Sequence, residues 1–247
     1  MTALIVSLIA LIACTTPEKS DRQRAGLHMQ IGTGYLQKGM YPQALNELLK
    51  AEQLDPKNPL ILNNVGLAYY VRGKTKLAEE KFRAAIQVLP NYSDAKNNLG
   101  RVLIDTHRDS EAVRLLQEVQ GDMTYEAPEK TLSNLGMAYF DLGQYQKAEE
   151  HLSHSLQIRR ENCTTANYYG RTLLEMKRLE QSATALDQAI EFCRSSKFEE
   201  PIYFSAMSYF SLGEKEKSRA RLEELLKEYP KSKYVAKAKG MLELLQQ

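Results

Sequence analysis

Four histidines, His28, His107, His151 and His154, are the side chains best placed to move protons or bind metal near neutral pH. His151 and His154 stand three apart, which puts both imidazoles on one face of a helix. A zinc site needs at least a third protein ligand, and no metal-site spacing supplies one nearby. A solvated helix face accounts for the pair. The sequence carries no nucleophile elbow around a Ser, no Gly-rich phosphate loop and no carboxylate pair in a recognisable catalytic setting. We therefore expect no catalytic residue, no metal and no cofactor, and read a protein that binds rather than converts. Of the three cysteines, Cys163 and Cys193 lack the CxxC spacing or adjacent His that activates a thiol. They are left as a structural pair, either joined or reduced and partly buried. The 247 residues carry 33 basic and 31 acidic side chains and no Trp. That balance lacks the basic, aromatic-lined stripe that nucleic-acid binding requires.

The elements that hold these residues repeat. Residues 59–92, PLILNNVGLAYYVRGKTKLAEEKFRAAIQVLPNY, contain Gly66, Tyr69, Ala78, Phe82, Ala85 and Pro90 at the spacing of a tetratricopeptide repeat, two antiparallel helices joined by a tight turn. The same thirty-four-residue frame recurs as 25–58, 93–126, 129–162, 163–196 and 199–232, with two-residue slips before 129 and 199. Counting places from the start of each unit, place 8 is Gly32, Gly66, Gly100, Gly136, Gly170 and Ala206, and place 20 is Ala44, Ala78, Ala112, Ala148, Ser182 and Ser218. Small residues at those places let the paired helices approach, while Leu and Phe elsewhere bury the surface a lone pair could not. Residues 233–247 place Tyr234, Ala238, Met241, Leu242 and Leu245 at helical spacing and are read as a capping helix. The expected fold is all-α, a right-handed superhelical tetratricopeptide solenoid of six repeats plus that C-terminal cap.

MTALIVSLIALIAC is apolar but too short to be a bilayer-spanning helix, and it suits the apolar region of an export signal. Leu11, Ile12, Ala13 and Cys14 resemble the lipobox of bacterial lipoproteins. That resemblance implies a signal peptide over 1–13, lipidation of Cys14 and anchoring on the periplasmic side of the outer membrane; no Lys or Arg precedes the apolar run, and an ordinary cleaved signal or a short buried helix is the competing reading. Residues 14–24 are polar after the cysteine and are expected to form a flexible tether. In an exported chain, Cys163 and Cys193, at places 1 and 31 of one unit, fall where antiparallel helices bring their ends together, which favours a disulfide over two free thiols.

In stacked helical pairs the first helix of each unit builds most of the inner surface. Place 12 there is Leu36, Tyr70, Ile104, Phe140, Leu174 and Phe210, flanked by Met29, Leu67, Met137, Tyr203 and Met207. Such a row suits an apolar segment or amphipathic strand of a partner chain, or else packs between units as core. Arg101 and Arg171 are expected in the same groove, with Asp105, Asp141 and Glu175 as local partners, while Asn64, Asn98 and Asn134 are read as braces for the repeat backbone.

The junction GDMTYEAPEKTLSNLG, with Asp122, Tyr125, Pro128, Asn134, Leu135 and Gly136, is similar to the pattern of the PilF/PilW/Tgl family of type IV pilus biogenesis lipoproteins. With the lipobox and six repeats, the resemblance covers nearly the whole chain from Cys14. It implies a pilotin that localises the pilus secretin subunit or helps it form its ring. The secretin subunit is then the protein partner and the membrane is met through the lipid. A general periplasmic scaffold for envelope assembly or peptidoglycan enzymes is the other reading that the same architecture allows.

Overall fold

The computed structural model describes residues 17–246, and within them every regular element is helical. The expected signal peptide, the Cys14 lipidation site and the start of the expected tether lie outside the described residues. The helices are α1 (Pro17–Gln37), α2 (Tyr41–Leu54), α3 (Pro59–Tyr70), α4 (Thr75–Val88), α5 (Ser93–Asp105), α6 (Asp109–Gln120) and α7 (Pro128–Asp141). They continue as α8 (Tyr145–Ile158), α9 (Cys163–Glu175), α10 (Leu179–Cys193), α11 (Glu200–Ser211), α12 (Lys215–Glu228) and α13 (Val235–Leu244). The chain divides into two compact units, the first ending at Ala95 and the second running from Lys96. None of the described helices is long and apolar enough to cross a membrane.

One local device makes every hairpin. At place 15 the backbone turns left-handed, a conformation that glycine adopts without a Cβ penalty. Gly39, Gly73, Gly143 and Gly213 supply it with φ of 71°, 69°, 71° and 79°. His107 and Lys177 adopt it too, at 58° and 61°, without that freedom. In each turn the next N–H donates back to the carbonyl at place 11, as from Lys74 to Tyr69 at 3.0 Å and from Arg108 to Leu103 at 2.8 Å. This bond satisfies a carbonyl that the helix end leaves orphaned. Helix starts are set by side chains in some units: the Asn58 side chain accepts from the N–H groups of Leu60 and Ile61, and that of Asn162 from Thr165.

Packing within a pair depends on place 8. A Cβ added at Gly66 would lie 2.6 Å from the Phe82 ring, and one at Gly100 would lie 2.6 Å from Leu116. The place-24 side chain thus occupies the space a larger residue would need, and Phe82, Leu116, Leu152, Leu186 and Leu222 are fully buried. Where place 20 is Ser, its hydroxyl answers the facing helix: Ser182 donates to the Gly170 carbonyl at 2.8 Å and Ser218 to that of Ala206 at 3.0 Å. In the first unit, Ala25, Leu48, Ala51, Ile61, Val65 and Ala68 join α1, α2 and α3 in one core. In the second, Tyr234, Ala238 and Leu245 close the core that α11 and α12 begin with Tyr203, Ala206 and Leu222.

One expectation is corrected. Residues 17–24 belong to α1 rather than to a flexible tether. Proline at a first helical position needs no partner for a missing N–H, and Asp21 pairs with Arg24 one turn on at 3.0 Å, so the polar stretch extends the helix instead of ending it.

Candidate partner-binding face

The expected apolar row is broken by burial. Ile104, Met137 and Leu174 are 4%, 1% and 6% exposed and belong to the core of the second unit, so they are withdrawn as groove surface. Met137 is covered by its neighbour in the preceding repeat, for the Arg101 guanidinium reaches its Sδ at 3.4 Å. In the first unit Met29 and Leu36 are half-buried against the core, and Leu67 and Tyr70 are half-buried as well. Phe140 and Met207 are half-buried in the second unit and Phe210 is exposed. The histidine pair also separates: the His151 ring stacks on Tyr139 with centroids 5.3 Å apart, and burial pushes its pKa down, while His154 is exposed. Among the described residues no cluster of His, Cys, Asp and Glu could hold a metal ion.

What α7, α9 and α11 assemble instead is a cation set among rings. The Arg171 guanidinium lies 4.6 Å from the Phe140 ring centre, 4.9 Å from that of Tyr168 and 4.6 Å from that of Phe204. Each ring face attracts the charge, and partial burial strengthens the attraction. Phe140 also meets Tyr168 edge-on with centroids 5.4 Å apart. Behind the guanidinium stands Glu200, whose Oε2 takes Arg171 at 3.1 Å and the Asn167 amide at 2.7 Å. Its other oxygen accepts from Tyr234 at 2.5 Å and from Lys233 at 3.2 Å. Burial pushes the Glu200 carboxyl up, but the Tyr234 bond, the Arg171 charge and the Asn167 and Lys233 bonds outweigh it and hold the pKa below the usual value. Tyr234, buried and donating to that carboxylate, has its own pKa raised. The Arg171 Nε and the Asn167 Oδ1 are buried without a hydrogen-bond partner, so the floor of the site keeps unused polar capacity.

This array sets three rings around one cation with a carboxylate held behind it, groups of the kind that contact a side chain or strand. Of the expected groove residues, Arg171 and Phe140 meet here, whereas Arg101 pairs with Asp105 at 3.1 Å. Tyr168, Phe204, Glu200 and Lys233 were not singled out from sequence, and Tyr234 was read only as part of the apolar spacing of the C-terminal cap. A signal for two of them existed: place 6 reads Asn64, Asn98, Asn134 and then changes to Tyr168 and Phe204. Asn134 does brace its neighbour, donating to the Asn97 Oδ1 at 3.1 Å and carbonyl at 3.4 Å. Away from the ring cluster, a crevice of about 300 Å³ lies between α8 and α10, lined by Leu156, Tyr169, Phe192 and Arg160 among others. Cys163 and Cys193 are joined, with Sγ atoms 2.13 Å apart, tying the start of α9 to the end of α10.

Models of the tetratricopeptide repeat match residues 93–119, 129–195 and 205–232, and a TPR repeat model matches 32–73, together well over half of the chain. The chain is a tetratricopeptide-repeat protein. Its all-α solenoid architecture is that of the family. This tetratricopeptide-repeat protein is 29% identical over 174 residues to the type IV pilus assembly protein PilF of Pseudomonas aeruginosa, across 66% of this chain and 69% of the relative. The solved structure of Pseudomonas aeruginosa PilF superposes with a TM-score of 0.72 at 22% identity, covering 87% of this chain and 96% of that one. The crystal structure of PilW, a type IV pilus biogenesis factor, does so at 0.76 and 21%, covering 91% and 99%. The fold is shared with both, and the sequence relationship to PilF supports the PilF/PilW family resemblance read from the junction residues.

Proposed function

We propose that this tetratricopeptide-repeat protein acts in type IV pilus biogenesis as a pilotin, an outer-membrane lipoprotein anchored through Cys14 that binds the pilus secretin subunit and promotes its multimerisation. The observation that carries the binding role is the Arg171 cluster, a cation held among Phe140, Tyr168 and Phe204 on the first helices of consecutive repeats. The pilus assignment is supported by the relationship to PilF. Anchoring rests on the lipobox-like sequence before Cys14. A lipid on that cysteine holds the protein at the membrane where the secretin must assemble. The expected result is that Cys14→Ala moves the protein into the soluble periplasmic fraction and lowers the yield of secretin multimers. Normal multimers in that strain would refute anchored delivery. The crevice between α8 and α10 favours a second reading, a scaffold holding more than one envelope protein, and capture of other envelope proteins with no secretin would select it.

A further inference from the structure

We propose that the C-terminal end of the second unit is a docking surface for an acidic segment of a partner polypeptide, engaged by Lys231, Lys233, Lys237 and Lys239. This rests on the partner-binding reading above and adds the chemistry of the segment that is bound. Between Tyr229 and Leu242 the chain carries these four lysines and no carboxylate. The whole chain has a formal charge of only +2, so this end holds more positive charge than the molecule's entire excess. All four lysines are exposed. Many of the cations elsewhere in the unit are matched, as Arg101 is by Asp105, Arg108 by Glu111 and Arg221 by both Asp187 and Glu224, and those without an ion pair are spread along the chain rather than gathered in one carboxylate-free stretch. Among the described residues Lys231, Lys237 and Lys239 have no such partner. A concentration of unmatched charge of one sign attracts and orients a complementary chain.

The patch runs into the ring cluster. Lys233 lies 5.0 Å from the Tyr234 ring centre and shares Glu200 with Arg171, and Tyr234 stacks on Tyr203 at 4.4 Å and meets Phe204 edge-on at 6.0 Å. A bound segment can therefore set carboxylates on the lysines while an apolar side chain reaches the half-buried Phe204; Tyr203 and Tyr234 are themselves buried. A membrane surface fits less well, because α13 turns its apolar side inward. Ala238 and Leu245 are buried, Met241 and Leu242 pack on the same core, and Leu244 is the exposed apolar residue that remains. A helix that lies in a bilayer interface needs a broad apolar face turned outward.

The test uses the full chain purified in detergent and a short fluorescein-labelled peptide in which glutamates flank two leucines, followed by fluorescence anisotropy. Binding should weaken as salt screens the ion pairs. The Lys231→Glu, Lys237→Glu, Lys239→Glu triple variant should bind about tenfold more weakly at an unchanged melting temperature. The same peptide with Gln for Glu should bind the unaltered protein as poorly. No binding of the acidic peptide, or equal binding by the triple variant, overturns the proposal. So does a triple variant that keeps peptide binding but loses attachment to phosphatidylglycerol vesicles, which would make an anionic membrane the occupant. Capture of secretin from envelope extracts separates the two readings: capture unchanged by the triple substitution defeats the lysine surface and leaves the pilotin role standing, whereas no capture by the unaltered protein defeats the role.

Discussion

Replacing Arg171 by Met keeps the length of the side chain and removes its charge, leaving the Glu200 carboxylate, whose side chain is 10% exposed, without its nearest cation. Taking one partner from a buried ion pair costs about 3–5 kcal/mol when nothing else compensates. Here Tyr234, Asn167 and Lys233 still bond the carboxylate, so the expected loss is at the lower edge or below it, about 2–3 kcal/mol at neutral pH. The sign of the pH dependence follows from the depressed pKa of Glu200, ordinarily 4.5. A carboxyl lowered on folding contributes stability that is fully present above the unfolded value and disappears as pH falls through the folded one. The Arg171→Met penalty should therefore be largest at pH 7 and shrink below about pH 4, once Glu200 is protonated with or without its cation. Urea titrations of both proteins at several pH values, followed by circular dichroism, measure this directly. Glu200→Gln should remove the same pH-dependent component, and the double variant should cost less than the two single changes added. A penalty that stays constant from pH 7 down to about pH 3 would refute the coupling and leave Arg171 as packing alone.

Gly66→Ala should destabilise by about 1–3 kcal/mol because the added methyl meets the Phe82 ring, and thermal melting would show it; an unchanged midpoint would mean the helix pair has room to spare. Lys177→Gly and His107→Gly should each stabilise by up to about 1 kcal/mol by relieving left-handed backbone at place 15, whereas Gly73→Ala should lose a similar amount, all read from denaturation midpoints. Reducing the Cys163–Cys193 bond, which closes a loop with a sequence separation of 30, should lower stability by about 3–4 kcal/mol in the loop-entropy account, seen as a drop in melting temperature with reductant that Cys163→Ser with Cys193→Ser abolishes.

The hairpins were legible because their demands fall on a few places where only small or turn-forming residues serve. Gly66 against Phe82 and Gly73 at the turn can be read in the letters, since no other residue fills both roles cheaply. The binding face was legible in part. Arg171 and Phe140 were found by their place on the first helix, but Phe204 and Glu200 join them from the next repeat and Tyr234 from the C-terminal cap, and a within-repeat pattern does not say which rings, Tyr168 included, will converge on one guanidinium. The burial of Ile104, Met137 and Leu174 was hidden for the same reason, because a large apolar side chain at place 9 or 12 is groove or core according to what an adjacent repeat lays over it. The helical start of α1 was masked by polar composition, which describes solvent preference better than backbone geometry.

From the third hairpin onward the polar contacts between consecutive hairpins differ: Asn134 and Thr131 reach Asn97, Ser133 meets Thr165, and then Asn167 holds Glu200 while Ser182 meets Ser208. Each of these three seams thus has its own key. A hairpin transplanted one step along, duplicated or deleted would bring a mismatched set of amides and hydroxyls face to face in a dry seam, where an unanswered polar atom costs about 1–3 kcal/mol. The apparent modularity of the last four repeats therefore stops at their shared scaffold; their order is written into these seams, and with it the position of the ring-bound arginine along the chain.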